Sequence, residues 1–154
     1  MSDYEFVTVW DFESRLSNVW DIIENADEWP SWWRGVLSSI EIKPGDVEGL
    51  GSIRRSVWKS ALPYRLTFDS EIVRLEKYRL IEARAFGELN GTGLWQFEAV
   101  TPNKTRVTYD WRVSTNKIWM NAIAPLARPF FKWNHDVIMR WGEEGMKQRL
   151  APPH

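Results

Sequence analysis

Acid–base, nucleophilic and metal chemistry each need particular side chains, and this chain supplies few of them. It has two histidines and no cysteine, which excludes disulfide frameworks, thiolate metal sites and thiol catalysis. His135 stands beside Asn134 in the run FFKWNHDVIMRWGEEGMKQRL, and His154 follows Ala-Pro-Pro at a terminus that should fray. No HExxH, GxSxG, P-loop or GxGxxG pattern occurs, so neither a metal nor a cofactor is expected. Gly87-Glu88-Leu89-Asn90-Gly91-Thr92-Gly93 lies between two strand patterns, which makes it a hairpin tip rather than a phosphate loop. One arrangement for proton transfer stays open. His135 beside Glu88 would move a proton on an enolisable substrate, with Arg84 stabilising the enolate oxygen. The alternative makes His135 an interior or helix-edge histidine bonded to backbone, and lets Glu88 reach water from a strand end.

The element that must position His135 is a helix over residues 130–150. At 100° per residue Lys132, Asp136, Arg140, Glu143 and Lys147 share one side. Phe131, Asn134, Ile138, Trp141 and Gly145 lie roughly opposite, within a broad apolar arc from Trp133 round to Met139. A surface helix needs an apolar stripe only ~100° wide, so this one is expected to be wrapped on several sides. Its charged face is a solvated surface with i,i+4 pairs. Pro125 and Pro129 should break or kink the segment before it. Gly142 and Gly145 each cost ~1 kcal/mol relative to Ala inside a helix, which close packing would offset.

The rest of the chain reads mainly as strands. Residues 4–12 alternate, with Phe6, Thr8, Trp10 and Phe12 on one parity. Ser14 is a candidate N-cap for a short helix carrying Leu16, Val19, Trp20 and Ile23, ended by Asn25. A second short helix or turn carries EWPSWWRG, with Pro30 in its first turn and Gly35 as its stop. From Val36 to Ser114 turn signals separate six more strands, among them Pro44-Gly45-Asp46, Leu62-Pro63 and Asn90-Gly91. An antiparallel sheet of about seven strands curved around the long helix satisfies both elements. The expected fold class is α+β, as a single domain over residues 1–154.

Register decides which side chains face inward. A two-residue hairpin at Asn90-Gly91 pairs Phe86 with Trp95 and Arg84 with Phe97. Phe86, Trp95 and Phe97 then share the buried face, while Ala83 and Ala85 join Gln96 and Glu98 on a wetted one. Arg84 and Glu88 point into the concave space and need partners there, which Asn134 and His135 would supply. A three-residue loop in the next hairpin sets Trp95 against Trp111 and Phe97 against Tyr109. Tyr64, Leu66 and Phe68 form an inward set. In the strand before them, either Arg54 and Trp58 or Arg55 and Val57 face in. The close packing at Gly142 and Gly145 places a cavity toward the other end of the rod, under Asn134, His135 and Ile138.

Eleven tryptophans are the compositional outlier. They suit a core of large rings or a pocket lined with flat apolar surfaces. Trp29, Trp32 and Trp33 form either a lip over the cavity or packing beneath it. Lys plus Arg is 20 and Asp plus Glu is 21, so nothing draws in nucleic acid, and contact with a membrane surface is at most transient. The acidic, alternating start differs from a signal peptide, and no apolar run reaches a membrane span. The expectation is a cytoplasmic monomer or homodimer.

The order strand, two short helices, six strands and long helix resembles the helix-grip arrangement. Trp29-Pro30-Ser31-Trp32-Trp33, Gly49-Leu50-Gly51, Leu62-Pro63-Tyr64, the Gly87–Gly93 stretch with Trp95, the 105–111 strand and Asn134-His135 with Gly142 carry the resemblance. Together they look like the START-related SRPBCC superfamily, nearest its polyketide cyclase/dehydratase-like branch. The resemblance implies a largely apolar cavity for a lipid, isoprenoid or polyketide-like ligand. It carries over no shared catalytic motif. The leading expectation is a binding protein whose aromatic walls supply affinity, with Arg84, Glu88, Asn134 and Tyr64 orienting a polar head. An aromatase/cyclase- or dehydratase-like enzyme and a protein-interaction module are the alternatives.

Overall fold

The computed structural model describes residues 3–59, 65–115 and 118–151, with side chains from 4 to 59, 65 to 114 and 128 to 151. Leu62, Pro63, Tyr64 and His154 lie outside the described residues. The elements run β1 (Asp3–Phe12), α1 (Leu16–Glu24), a 3-10 turn (Ala26–Glu28), α2 (Trp29–Trp32), β2 (Val36–Lys43), β3 (Ile53–Lys59), β4 (Arg65–Glu76), β5 (Leu80–Gly87), β6 (Leu89–Thr101), β7 (Lys104–Thr115) and α3 (Ile118–Leu150). The strands form one antiparallel sheet in the order β1-β7-β6-β5-β4-β3-β2. This curved sheet with its long C-terminal helix is the helix grip. Among the described residues no helix is long and apolar enough to cross a membrane.

Local expectations fail at two places. Ser14 does not cap α1. Arg15 holds that position without a side-chain bond, and the Ser14 carbonyl instead accepts the buried Thr105 hydroxyl at 2.8 Å. Tertiary hydrogen bonding to β7 has taken the residue away from the local motif. The expected break at Pro125 and Pro129 is also absent, since helix α3 is continuous through both. A proline removes one backbone bond, whereas ending the helix would orphan several donors and acceptors on each side of the break.

Two aromatic clusters hold the grip together. One joins Trp10, Trp20, Trp33, Trp95, Met139 and Met146, and the other joins Tyr4, Phe68, Leu89, Val113 and Phe131. Trp33 is the hub of the first, 1% exposed and within 5.5 Å, centroid to centroid, of Trp10, Trp29, Trp32 and Trp58. Its indole N–H donates to the Ile138 carbonyl of α3 at 2.9 Å. Gly142 faces this ring and Trp10, while Gly145 meets the Trp32 carbonyl. The glycines therefore seat the rod on α2 as much as on the sheet. The wrap is incomplete, because Phe130 and Trp133 stay 63% and 48% exposed.

The β5–β6 hairpin overturns the expected register. Ala85 pairs with Gly91, Arg84 with Thr92, Ala83 with Gly93 and Ile81 with Trp95. Asn90 and Gly91 are not the turn, because they pair with Ser114 and Val113 in the long β6–β7 ladder. The reversal moves back to Glu88, beside Gly87 at φ +111°. The shift is an odd number of residues, so every β5 side chain changes face. Arg84 and Phe86 point outward, the guanidinium 2.9 Å from Glu71 and 4.7 Å from the Phe86 ring centroid. Ile81, Ala83 and Ala85 turn inward. The physical reason is desolvation: an outward Arg84 keeps water and a carboxylate, and small apolar side chains are buried instead.

The next hairpin slips by two. Trp95 pairs with Tyr109, Phe97 with Val107 and Gly93 with Trp111. An even slip preserves faces, so Tyr109 and Trp111 remain inside while Asp110 and Arg112 pair on the outside at 3.1 Å. In β3, Arg54, Ser56 and Trp58 face the concavity. Arg55 faces out and pairs with Asp69 at 2.9 Å.

Candidate functional site

Two adjoining cavities lie between the sheet and the helices. The smaller, about 120 Å³, is roofed by Phe131, Asn134, His135, Ile138 and Met139 of α3. Tyr4 and Phe6 of β1, Leu66 and Phe68 of β4, and Tyr109, Trp111 and Val113 of β7 wall it, with Trp29, Trp33, Trp58, Leu89 and Trp95 completing the lining. The larger, about 350 Å³, shares Trp29, Trp58, Phe68, Trp95, Tyr109 and Trp111 with it. It opens past Ser39, Ser56, Ser70, Ala83, Ala85 and Gly93 toward a rim bearing Glu24, Glu41, Asp46 and Arg54.

The hollow exists because small residues meet across neighbouring strands. Ser39 opposes Ser56, Ser70 opposes Ala85, and Ala83 opposes Gly93. Larger side chains on those inner positions would fill the volume to ordinary core density. The same odd slip that expelled Arg84 brought Ala83 and Ala85 into this row.

The expected site residues divide accordingly. Leu66, Phe68, Trp95, Tyr109, Trp111, Asn134, His135 and Ile138 line the aromatic cavity, and so does Trp33. Trp33 does so as a buried floor, not as a lip. Trp32 lines neither cavity. Its ring stacks on Trp33 and its carbonyl abuts Gly145, because four residues of α2 cannot turn both indoles inward. Phe97 is buried against Trp20, 4.9 Å away, beyond the end of the cavity. Arg84 and Phe86 are on the outer face. Glu88 sits at the β5–β6 turn, where its carboxylate accepts the Thr67 N–H at 2.7 Å, and it lines neither cavity. The proposed proton relay of His135 and Glu88 is therefore not assembled on one wall. Tyr64 lies outside the described residues.

Several lining residues escaped sequence reasoning. Tyr4 and Phe6 sit on the even parity of β1, and Phe6 pairs with Trp111, so strand alternation carried the signal. Ser39, Ser56 and Ser70 carried none, since a serine in a strand usually marks a wetted position.

The aromatic cavity is electrically neutral. His135 stacks on Phe6 with centroids 4.5 Å apart, and its side chain is 12% exposed. Burial pushes its pKa down to about 4, against a weaker upward pull from Asp136. At pH 7 the ring is uncharged. Burial likewise raises the Tyr4 phenol, partly opposed by the Arg128 guanidinium over its ring, and raises Tyr109 strongly. The larger cavity differs. At its rim Arg54 donates to Asp27 at 2.6 Å and to the Ser39 carbonyl at 3.3 Å. Among the described residues no cluster of His, Asp and Glu could hold a metal ion.

A helix grip enclosing an aromatic cavity defines the class by its fold. Within it, residues 8–151 match the family described as polyketide cyclase/dehydrase and lipid transport, and the chain belongs to that family. No curated protein sequence matches the chain. The fold is similar to the Zhui aromatase/cyclase of a Streptomyces species, with a TM-score of 0.79 at 11% identity over 97% of this chain and 94% of that one. It is similar to a START superfamily protein from Mycobacterium smegmatis, with a TM-score of 0.77 at 11% identity over 95% and 96%. The di-domain ARO/CYC BexL matches with a TM-score of 0.75 at 18% identity, over 98% of this chain and 51% of that one. At such identities the likeness concerns the fold.

Proposed function

We propose that this protein binds a hydrophobic or amphipathic small molecule of lipid, isoprenoid or polyketide type between the sheet and α3. The observation that carries this reading is the adjoining pair of cavities, one aromatic and neutral, the other lined by serines and open toward Arg54. The larger falls within the ~300–1,000 Å³ of small-molecule sites. Indole and phenol walls favour flat or isoprenoid surfaces, which gain dispersion and area burial there. A polar head would rest against Ser39, Ser56 and Arg54 rather than against Arg84. The balanced charge of 20 against 21 leaves at most transient contact with a membrane surface during ligand uptake.

Native mass spectrometry of protein purified from its own host tests the reading. A retained small-molecule mass, displaced on unfolding, is expected. Protein that is empty from every source, and that takes up no lipid or aromatic probe, overturns it.

An aromatase/cyclase-like reaction in the same cavity is the second reading, favoured by the aromatase/cyclases among the structural neighbours. Its base would be the neutral His135 imidazole, acting without Glu88. Turnover of a poly-ketone substrate that disappears in His135→Phe, with ligand retention intact, would favour the enzyme. Retention without turnover would favour the binding protein.

A further inference from the structure

Three residues in the lining of the aromatic cavity carry unspent hydrogen-bonding atoms. The Tyr4 hydroxyl, the Asn134 side-chain oxygen and both ring nitrogens of His135 are buried, and none has a hydrogen-bond partner among the described residues. All three residues line the same roughly 120 Å³ volume. Asp136 is the nearest carboxylate to the imidazole, at 3.9 Å from Nδ1, beyond hydrogen-bond range. Buried polar groups in native proteins are ordinarily satisfied, and an unsatisfied one calls for an explanation. Here the four atoms belong to three residues that line one cavity, whose other described walls are aromatic or aliphatic.

Their chemistry selects an occupant. The Asn134 oxygen only accepts, so the ligand must bring a donor; a ketone or an ether alone leaves it unsatisfied. Tyr4 and a neutral His135 can each donate and accept, so the ligand group must accept as well. Among the described residues no Lys, Arg, Asp or Glu lines this cavity. The nearby Arg128 lies over the Tyr4 ring, 5.0 Å from its centroid, and is not part of the wall. A carboxylate or phosphate would therefore be buried without a counter-charge. Building on the binding function proposed above, we infer that Tyr4, Asn134 and His135 form a subsite for an uncharged hydroxyl, phenolic or alcoholic, on a flat apolar ligand. The ligand enters hydroxyl first, and any charged end stays in the larger cavity near Arg54.

Three bicyclic probes test this by isothermal titration calorimetry: 2-naphthol, 2-methoxynaphthalene and 2-naphthoate. The naphthol should bind about tenfold more tightly than the methoxy compound, the scale of one well-made buried hydrogen bond, and the naphthoate most weakly. Tyr4→Phe and Asn134→Leu should each shrink the ratio of naphthol to methoxynaphthalene affinity to below about threefold, whichever way the methoxynaphthalene affinity itself moves. Measurable methoxynaphthalene binding reports an intact cavity. Should either variant bind neither probe, His135→Phe, which keeps a ring against Phe6, takes its place. Equal binding of naphthol and methoxynaphthalene, a preference surviving in the variants, or tightest binding of naphthoate overturns the subsite and leaves the binding function standing. Failure of all three probes to bind overturns the subsite as well, and the native mass spectrum then decides the binding function separately.

Discussion

Gly142→Ala separates two forces by sign. Helix propensity alone says that the change stabilises α3 by ~1 kcal/mol. The tertiary structure says the opposite. A Cβ on Gly142 would stand 2.6 Å from Cε2 and 2.8 Å from Nε1 of Trp33, and 2.9 Å from Cη2 of Trp10. Neither ring is a flexible tip, since they are 1% and 2% exposed and packed on each other at 5.5 Å. Relief means moving Trp33 until the contact reaches the ordinary 3.4 Å or more. That motion pulls its indole N–H from the Ile138 carbonyl, now 2.9 Å away. Overpacking costs ~1–3 kcal/mol and a stranded buried donor another ~1–3 kcal/mol. Subtracting the propensity gain leaves a net loss of about 3 kcal/mol. Urea unfolding followed by tryptophan emission should show a midpoint lowered by about 1.5 M, for a slope of ~2 kcal/mol/M. Gly145→Ala should lose more, because its Cβ meets the Trp32 backbone carbonyl rather than a ring. Exposed Glu144→Ala, one turn face away, should stay within ~0.5 kcal/mol. An unchanged or raised midpoint for Gly142→Ala would refute the close seating of α3 on Trp33.

The inward face of β5 predicts that Ala85→Leu lowers retained ligand severalfold in native mass spectrometry, while Phe86→Ser on the outer face leaves retention alone; the reverse pattern would restore the hairpin at Asn90-Gly91. His135 predicts a pH dependence. Its folded pKa of about 4 lies below the ordinary 6.5, so between those values the unfolded state binds the extra proton and stability falls as pH drops. The contribution is about 3 kcal/mol, fully present above pH 6.5 and lost as pH falls to 4. The difference between wild type and His135→Phe should grow over that window, and an imidazole that titrates near 6.5 by NMR would contradict its burial.

Periodicities of two and 3.6 are local properties, and they were legible in the chain. They marked seven strands, two short helices and the long one, and they placed Asn134, His135 and Ile138 on the helix face that roofs the aromatic cavity. Leu66, Phe68, Trp95, Tyr109 and Trp111 were legible for the same reason. The β6–β7 register was mistaken by two residues without consequence, because faces repeat every second residue.

What the chain could not display was the outcome of competition between distant segments. Asn90-Gly91 is a strong turn signal in isolation, but β7 offered those residues a ladder, and the reversal moved to Glu88. That odd slip turned Arg84 and Phe86 out and Ala83 and Ala85 in, so small side chains occupy the face where a charged cluster was expected. Which tryptophans became floor and which became packing depended likewise on where Gly142 and Gly145 let α3 settle. Composition and period thus determined a sheet gripping a helix. Register and close approach, which depend on contacts far apart in the chain, decided that the grip holds a neutral aromatic cavity.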